Sequence, residues 1–358
     1  MAAQVFLDGS VYSPVDPFAT ALVMNEGAVE WVGQDAGARS ILDESMQSIE
    51  LGGALVVPTF SLAAASVASV EDAKALLSVC RSQGYGEVNL FSKHNFLSEN
   101  AAGSELKINT YLSAEALLNP SELPTNIKGV YFTEDSLKHL SLLTVAVEHQ
   151  LIVSGAFTTS SSVRAFLDKV SSLEPLDRLR IAPRLDGIFS LEDDLIDLAR
   201  SLHVTLGFSS DYTSAGDSLS RALSSGAAIT LGSDPLAKTA AFGWDLVSDA
   251  VNAPEHQAIS ARAAFQALTR GVQRANGVSS PLAGQLVPGA PANFALWNVT
   301  ELMVQTPDSR ISAWSTDPRA RTPLLPALSS DVDRPVLSSV YLEGKALKNI
   351  GPTELCKD

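Results

Sequence analysis

Charged and hydroxyl side chains recur at the ends of short apolar runs along this chain. Lys93 and His94 follow Val88–Phe91, Glu134 and Asp135 follow Gly129–Phe132, and Ser154 and Thr158 lie in and after Leu151–Ala156. Arg184 and Asp186 flank Leu185, Asp211 follows Val204–Phe208, and Asp234 follows Ala227–Gly232. If those runs are parallel strands, groups at their C-terminal ends converge on one mouth. Carboxylates with two or three cations round a cleft suit recognition of a polar small molecule, whereas zinc, iron or manganese in a catalytic site is commonly held by neutral imidazoles as well as carboxylates. Imidazoles are scarce: of the five histidines, His139 and His149 fall on or at the end of a helical pattern, His203 precedes a strand, and His256 lies in a loop beside Pro254-Glu255. Only His94 is placed at the C-terminal end of a strand, and with Lys93 it equally suits an exposed loop pair. Asp234 equally suits a capping or salt-bridging role.

The elements that would position these groups follow from periodicity. The first 57 or so residues are short strands punctuated by Asp8-Gly9, Pro14, Pro17 and Asn25-Glu26-Gly27. From Ala54, apolar runs alternate with helical patterns, and the eight candidate strands are Ala54–Phe60, Val88–Phe91, Leu106–Tyr111, Gly129–Phe132, Leu151–Ala156, Leu179–Leu185, Val204–Phe208 and Ala227–Gly232. Helical spacing marks Val70–Ser82, Ser136–Glu148, Ser161–Val170, Leu191–Ser201 and Ser218–Ser224, then Gly243–Val251 and Ile259–Gly277. This predicts an α/β chain with a (β/α)8 barrel over residues 58–284. Strand texture returns in Asn293–Trp297, Glu301–Val304, Ile311–Trp314 and Ser338–Leu342. Short strands at the two ends cannot be stable alone, so residues 1–57 and 285–350 are expected to pair into one small composite β-sandwich.

Composition excludes several classes. A formal charge of −15 and the absence of a basic cluster argue against nucleic acid or anionic lipid as a partner. No apolar run approaches a membrane span, and the first residues lack a basic and an apolar leader region, so a cytoplasmic location is expected. The two cysteines, Cys80 and Cys356, suggest neither a disulfide framework nor a zinc site.

The bracketing order and four local signatures resemble the amidohydrolase superfamily, most closely its exoenzyme-like and imidazolonepropionase-like hydrolases. Leu51-Gly52-Gly53-Ala54-Leu55-Val56-Val57-Pro58-Thr59-Phe60 is similar to the run into barrel strand one, which in the family ends P-G-F-x-D-x-H-x-H. Leu231-Gly232-Ser233-Asp234 resembles the end of strand eight, Ala261–Gly277 the helix ending A-x-x-x-T-x-x-A-x-x-x-G, and Gly284–Trp297 the pattern G-x-L-x-P-G-x-x-A-D-F. The resemblance implies hydrolysis of carbon–nitrogen bonds other than peptide bonds, with zinc, iron or manganese activating a water and polarising the carbonyl. Carried over by position, it places Leu62 at the strand-one Asp, Ala64 and Ser66 at its two histidines, Ser154 at the strand-five histidine and Pro183 at the strand-six histidine. Asp234 alone is retained. The expectation is therefore a catalytically silent homologue, a pseudoenzyme without a metal cofactor. Asp234 is its one candidate catalytic group, and Lys93, His94, Ser154, Arg184, Asp186 and Asp211 are candidates for binding a polar small molecule. The alternative is a working hydrolase on C–N bonds of a small molecule through a nonstandard or metal-free site.

Overall fold

The computed structural model describes residues 3–94, 105–211, 216–239, 241–305, 314–315, 322–329 and 331–347. It divides into two compact units, Met1–Phe60 with Cys80–Gly86 and Ser280–Asp358, and Ser61–Val79 with Glu87–Ser279.

The first unit carries a four-stranded sheet in the order Ala28–Gly33, Ala21–Asn25, Gln4–Leu7, Gln47–Glu50. A five-stranded sheet runs Ser10–Val11, Leu55–Pro58, Phe294–Asn298, Val336–Leu342, Lys345–Ala346. The chain ends meet in the second sheet, where Leu55–Pro58 pairs antiparallel with Phe294–Asn298 in the register Val56↔Leu296. Alternation turns Phe6, Leu22, Val56, Phe294, Leu296 and Tyr341 into one buried cluster. The rings of Phe294 and Tyr341 stack at 4.7 Å, and Phe6 meets Phe294 edge-on at 5.2 Å.

The barrel sheet has nine segments, and every pairing described in it is parallel. Its first seven strands are Phe60–Ser66, Tyr85–Ser92, Lys107–Ser113, Gly129–Phe132, Ile152–Ala156, Arg184–Ile188 and Thr205–Phe208. The eighth is broken in two. Ile229–Thr230 pairs with the seventh strand and Ser233–Asp234 with the first, at Ser233↔Ala64. Between the halves Gly232 takes φ +66°, a conformation that favours glycine, so the sheet closes through a single kinked strand. Helices lie between strands as the periodicity predicts; Ser160–Ser171, for instance, is capped by Thr159, whose hydroxyl accepts from the Ser162 amide. Among the described residues no helix is long and apolar enough to cross a membrane. Cys80 is buried, and Cys356 lies outside the described residues, as do positions 311–313 of the predicted strand Ile311–Trp314.

Besides the broken eighth strand, expected as Ala227–Gly232, two predicted barrel strands differ from those observed. Residues 55–58 of the expected first strand belong to the sandwich sheet, and the barrel strand begins at Phe60, because one apolar stretch supplies two consecutive strands. The expected sixth strand, Leu179–Leu185, is largely helix: Pro175–Ile181 starts on a proline, its last turn holds Arg180 in an ion pair with Asp177, and Ala182 ends it at φ +36°. Leu179 mimics strand alternation with Ile181 but is 67% exposed, and the strand starts only at Arg184. Pro183 therefore precedes strand six and does not stand at a site position on it.

Candidate functional site

Inside the barrel, period-two alternation places Ala64, Phe91, Tyr111, Tyr131 and Ile152 from five successive strands in one buried cluster. Phe91 stacks flat on Tyr111 at 4.6 Å. Beside this cluster runs a buried polar column. Near the N-terminal ends of the strands, Glu87 accepts from Asn109, Asn276 and Gln273 and pairs with Lys107 at 3.2 Å. Asn89 donates to Asn276 Oδ1 and the Ala63 carbonyl, both at 2.8 Å, and the Tyr111 hydroxyl donates to Asn276 Oδ1 at 3.1 Å. Arg184 continues the column, giving Nη1 to Asn276 Oδ1 and Nη2 to the Ala63 carbonyl.

The column ends at Asp186, two residues beyond Arg184 and therefore on the same face of strand six. Arg184 Nε donates to Asp186 Oδ2 at 2.6 Å and Nη2 to Oδ1 at 2.7 Å. Ser154 on strand five donates to Oδ2 at 2.6 Å, and Ser233 on strand eight donates to Oδ1 at 2.5 Å. Four donors saturate this carboxylate. Gly207 on strand seven makes room for it, since a Cβ there would clash with Asp186 Oδ1. Arg184 is wholly buried. Burial alone would lower its pKa, but Asp186 and Tyr111 outweigh that and raise it, so the guanidinium is a permanent interior cation.

Asp234, 4% exposed, stands apart from that group. Its Oδ1 accepts from the Ser209 hydroxyl at 2.6 Å and the Ser210 amide at 3.1 Å, while Oδ2 is buried and, among the described residues, has no hydrogen-bond partner. Burial raises its pKa against those bonds, and the neighbouring charge of exposed Asp211 adds to the rise.

Above the interior, at the C-terminal ends of strands two to five, lies a cleft of about 790 Å³. Lys93, His94, Glu115, Tyr131, Glu134 and Thr158 line it, together with Ser113, Thr133, Asp135 and Leu236. The structure thus brings Lys93 and His94 to the mouth. It does not bring Ser154, Arg184 and Asp186 there, because they bond one another inside the barrel, and neither Asp234 nor Asp211 lines this cleft. Sequence reasoning passed over Tyr131, Glu115, Asn89, Asn109 and Asn276. Alternation within Gly129–Phe132 could have turned Tyr131 inward; Asn276 carried no signal, since it arrives from the end of a helix remote in sequence.

The donors do not fit a divalent metal in the position the resemblance implies. Ala64 has no donor atom, Asp186 is saturated by hydrogen bonds beside a fixed cation, and Ser154 is spent on Asp186. Among the described residues no group of three or more His, Cys, Asp and Glu side chains could hold a metal ion.

No family model and no curated protein matches the sequence. Solved structures do match the fold. N-isopropylammelide isopropylaminohydrolase from Burkholderia multivorans is 14% identical with a TM-score of 0.65, over 97% of this chain and 98% of that one. Guanine deaminase from C. acetobutylicum, solved with guanine in its active site, is 13% identical with a TM-score of 0.66, over 96% and 100%. An uncharacterized metal-dependent hydrolase from Pyrococcus furiosus is 13% identical with a TM-score of 0.63, over 82% and 98%. At such identity the likeness is one of architecture: this chain shares the barrel-and-sandwich fold of these hydrolases.

Proposed function

We propose that this protein is a binding protein on a hydrolase scaffold, recognising a small polar molecule at the barrel mouth without metal-dependent cleavage of C–N bonds. The observation that carries the reading is the environment of Asp186: the carboxylate accepts four hydrogen bonds, two of them from an Arg184 guanidinium inside the barrel. A metal entering there would have to displace all four donors and tolerate a like charge beside it. The mouth cleft remains as the concave surface with converging polar groups, Lys93, His94 and Glu134 among them. The fold match to hydrolases supports the scaffold; function follows from the site.

The test is a melting-temperature screen of polar small molecules with and without chelator. Stabilisers that lose their effect on Lys93→Ala, together with indifference to EDTA, are expected. A melting point that falls with EDTA and recovers with zinc or manganese would overturn the reading.

One observation favours a second reading, a metal-free hydrolase of C–N bonds. The buried Oδ2 of Asp234, without a hydrogen-bond partner among the described residues, and its raised pKa describe a carboxyl suited to carry a proton between acid and base forms. Release of ammonia or amine from a small amide or amidine, abolished by Asp234→Asn, would favour it.

A further inference from the structure

Tyr131 lines the mouth cleft while only 5% exposed. Its ring leans on Phe91 at 5.2 Å, and among the described residues its hydroxyl has no hydrogen-bond partner. Burial, with the Glu115 charge, pushes the phenol up to about 12, so it remains a neutral hydroxyl at physiological pH. A buried ring with its hydroxyl turned to a cleft holds a rigid, pre-placed donor for whatever occupies that cleft.

The remaining lining fixes the sign of the occupant. Among the described residues that line it, Glu115, Glu134 and Asp135 set three carboxylates against the ammonium of Lys93 and the ring of His94. Glu134 is the most firmly placed. The Thr158 amide and hydroxyl both donate to its Oε1, the hydroxyl at 3.0 Å, and although burial alone would raise its pKa, these bonds hold it below the usual carboxylate range. Its side chain is part-exposed and lines the cleft, so an ionised carboxylate faces the occupant. A surplus of negative charge in a concave site attracts a cation, and the Tyr131 hydroxyl and Lys93 offer donors to a second, polar group.

We propose that the cleft takes a small organic cation, an amine or amidine that also carries a hydroxyl or other hydrogen-bond acceptor. Glu134 holds its charged end, and Tyr131 and Lys93 meet the acceptor. This inference rests on the reading of the mouth as a binding site and narrows its ligand class.

A near-isosteric pair of probes of opposite charge tests it: 4-hydroxybenzamidine and 4-hydroxybenzoate, titrated calorimetrically into the protein. The cation is expected to bind about tenfold or more tighter than the anion, with an advantage that shrinks as salt rises. Glu134→Gln keeps the Thr158 bonds through its amide carbonyl, and it should remove about tenfold of the cation's affinity. Tyr131→Phe should weaken the cation several-fold, and circular dichroism of each variant checks its fold. Equal or tighter binding of the benzoate, or cation binding unchanged by Glu134→Gln, would overturn the inference. Benzoate binding lost on Tyr131→Phe would reject the cation while keeping the mouth as a binding site. If neither probe binds, the proposed ligand class fails, and the wider screen of polar molecules still decides the mouth-binding reading.

Discussion

Arg184 and Asp186 occupy alternate positions of one barrel strand and close a two-bond ion pair in the barrel interior, Nε to Oδ2 at 2.6 Å and Nη2 to Oδ1 at 2.7 Å. Both side chains are fully excluded from solvent. Such a pair contributes little net stability when complete, yet removing one partner strands the other charge in a low-dielectric site. Arg184→Met should therefore destabilise the protein by about 3–5 kcal/mol. The double replacement Arg184→Met with Asp186→Leu should lose less than the sum of the two single changes, since it leaves no charge unpaired. Urea titration followed by circular dichroism measures both. Strict additivity would mean that the two groups do not act as a unit.

Asp234 gives a pH signature. Its folded-state pKa is raised, chiefly by burial, so ionisation is disfavoured in the folded chain relative to the unfolded one. The sign follows from linkage: the stabilising contribution is present when the carboxyl is protonated and is lost as pH rises through the raised folded value. Asp234→Asn removes that loss while leaving a carbonyl to accept from Ser209 and Ser210. The variant is expected to melt above the wild type at neutral pH, with the difference closing on acidification into the ordinary carboxylate range. Melting curves across pH check this, and a difference that grows on acidification would contradict the assignment.

The sandwich was the more legible half. Short apolar runs such as Val5-Phe6-Leu7 and Asn293–Trp297, set off by Gly, Pro and Asn turns, sufficed, although their strands are buried on both faces. The barrel was legible in number and order but not in register. Its strands are buried on both faces, so Ala54–Phe60 was read as one barrel strand across the boundary that Pro58 marks, and the helix Pro175–Ile181 passed for strand. The interior site was the least legible. Arg184 and Asp186 were visible as charges, but whether they met a ligand or each other depended on a strand start misplaced by several residues. Their further partners Ser233, Asn276 and the Ala63 carbonyl come from remote stretches of sequence.

Phe294 tests the joining of the two chain ends. Its ring touches Phe6 from the N-terminal strand and stacks on Tyr341 from the C-terminal one, and it is fully buried. Phe294→Ala should cost about 3–5 kcal/mol through lost burial and the cavity left behind. Thermal or urea unfolding measures it, and a loss below about 1 kcal/mol would mean that the cluster is not packed as described.

Whether a metal belongs in the barrel is decided most directly by elemental analysis of the full-length protein, purified without chelator from cells supplied with zinc, iron and manganese. The saturated Asp186, its Arg184 partner and the donorless Ala64 predict well under about 0.2 equivalents of any of the three metals per chain. About one equivalent, retained through gel filtration and lost on Asp234→Ala or Asp186→Ala, would contradict this and return the protein to the metal-dependent hydrolases whose fold it shares.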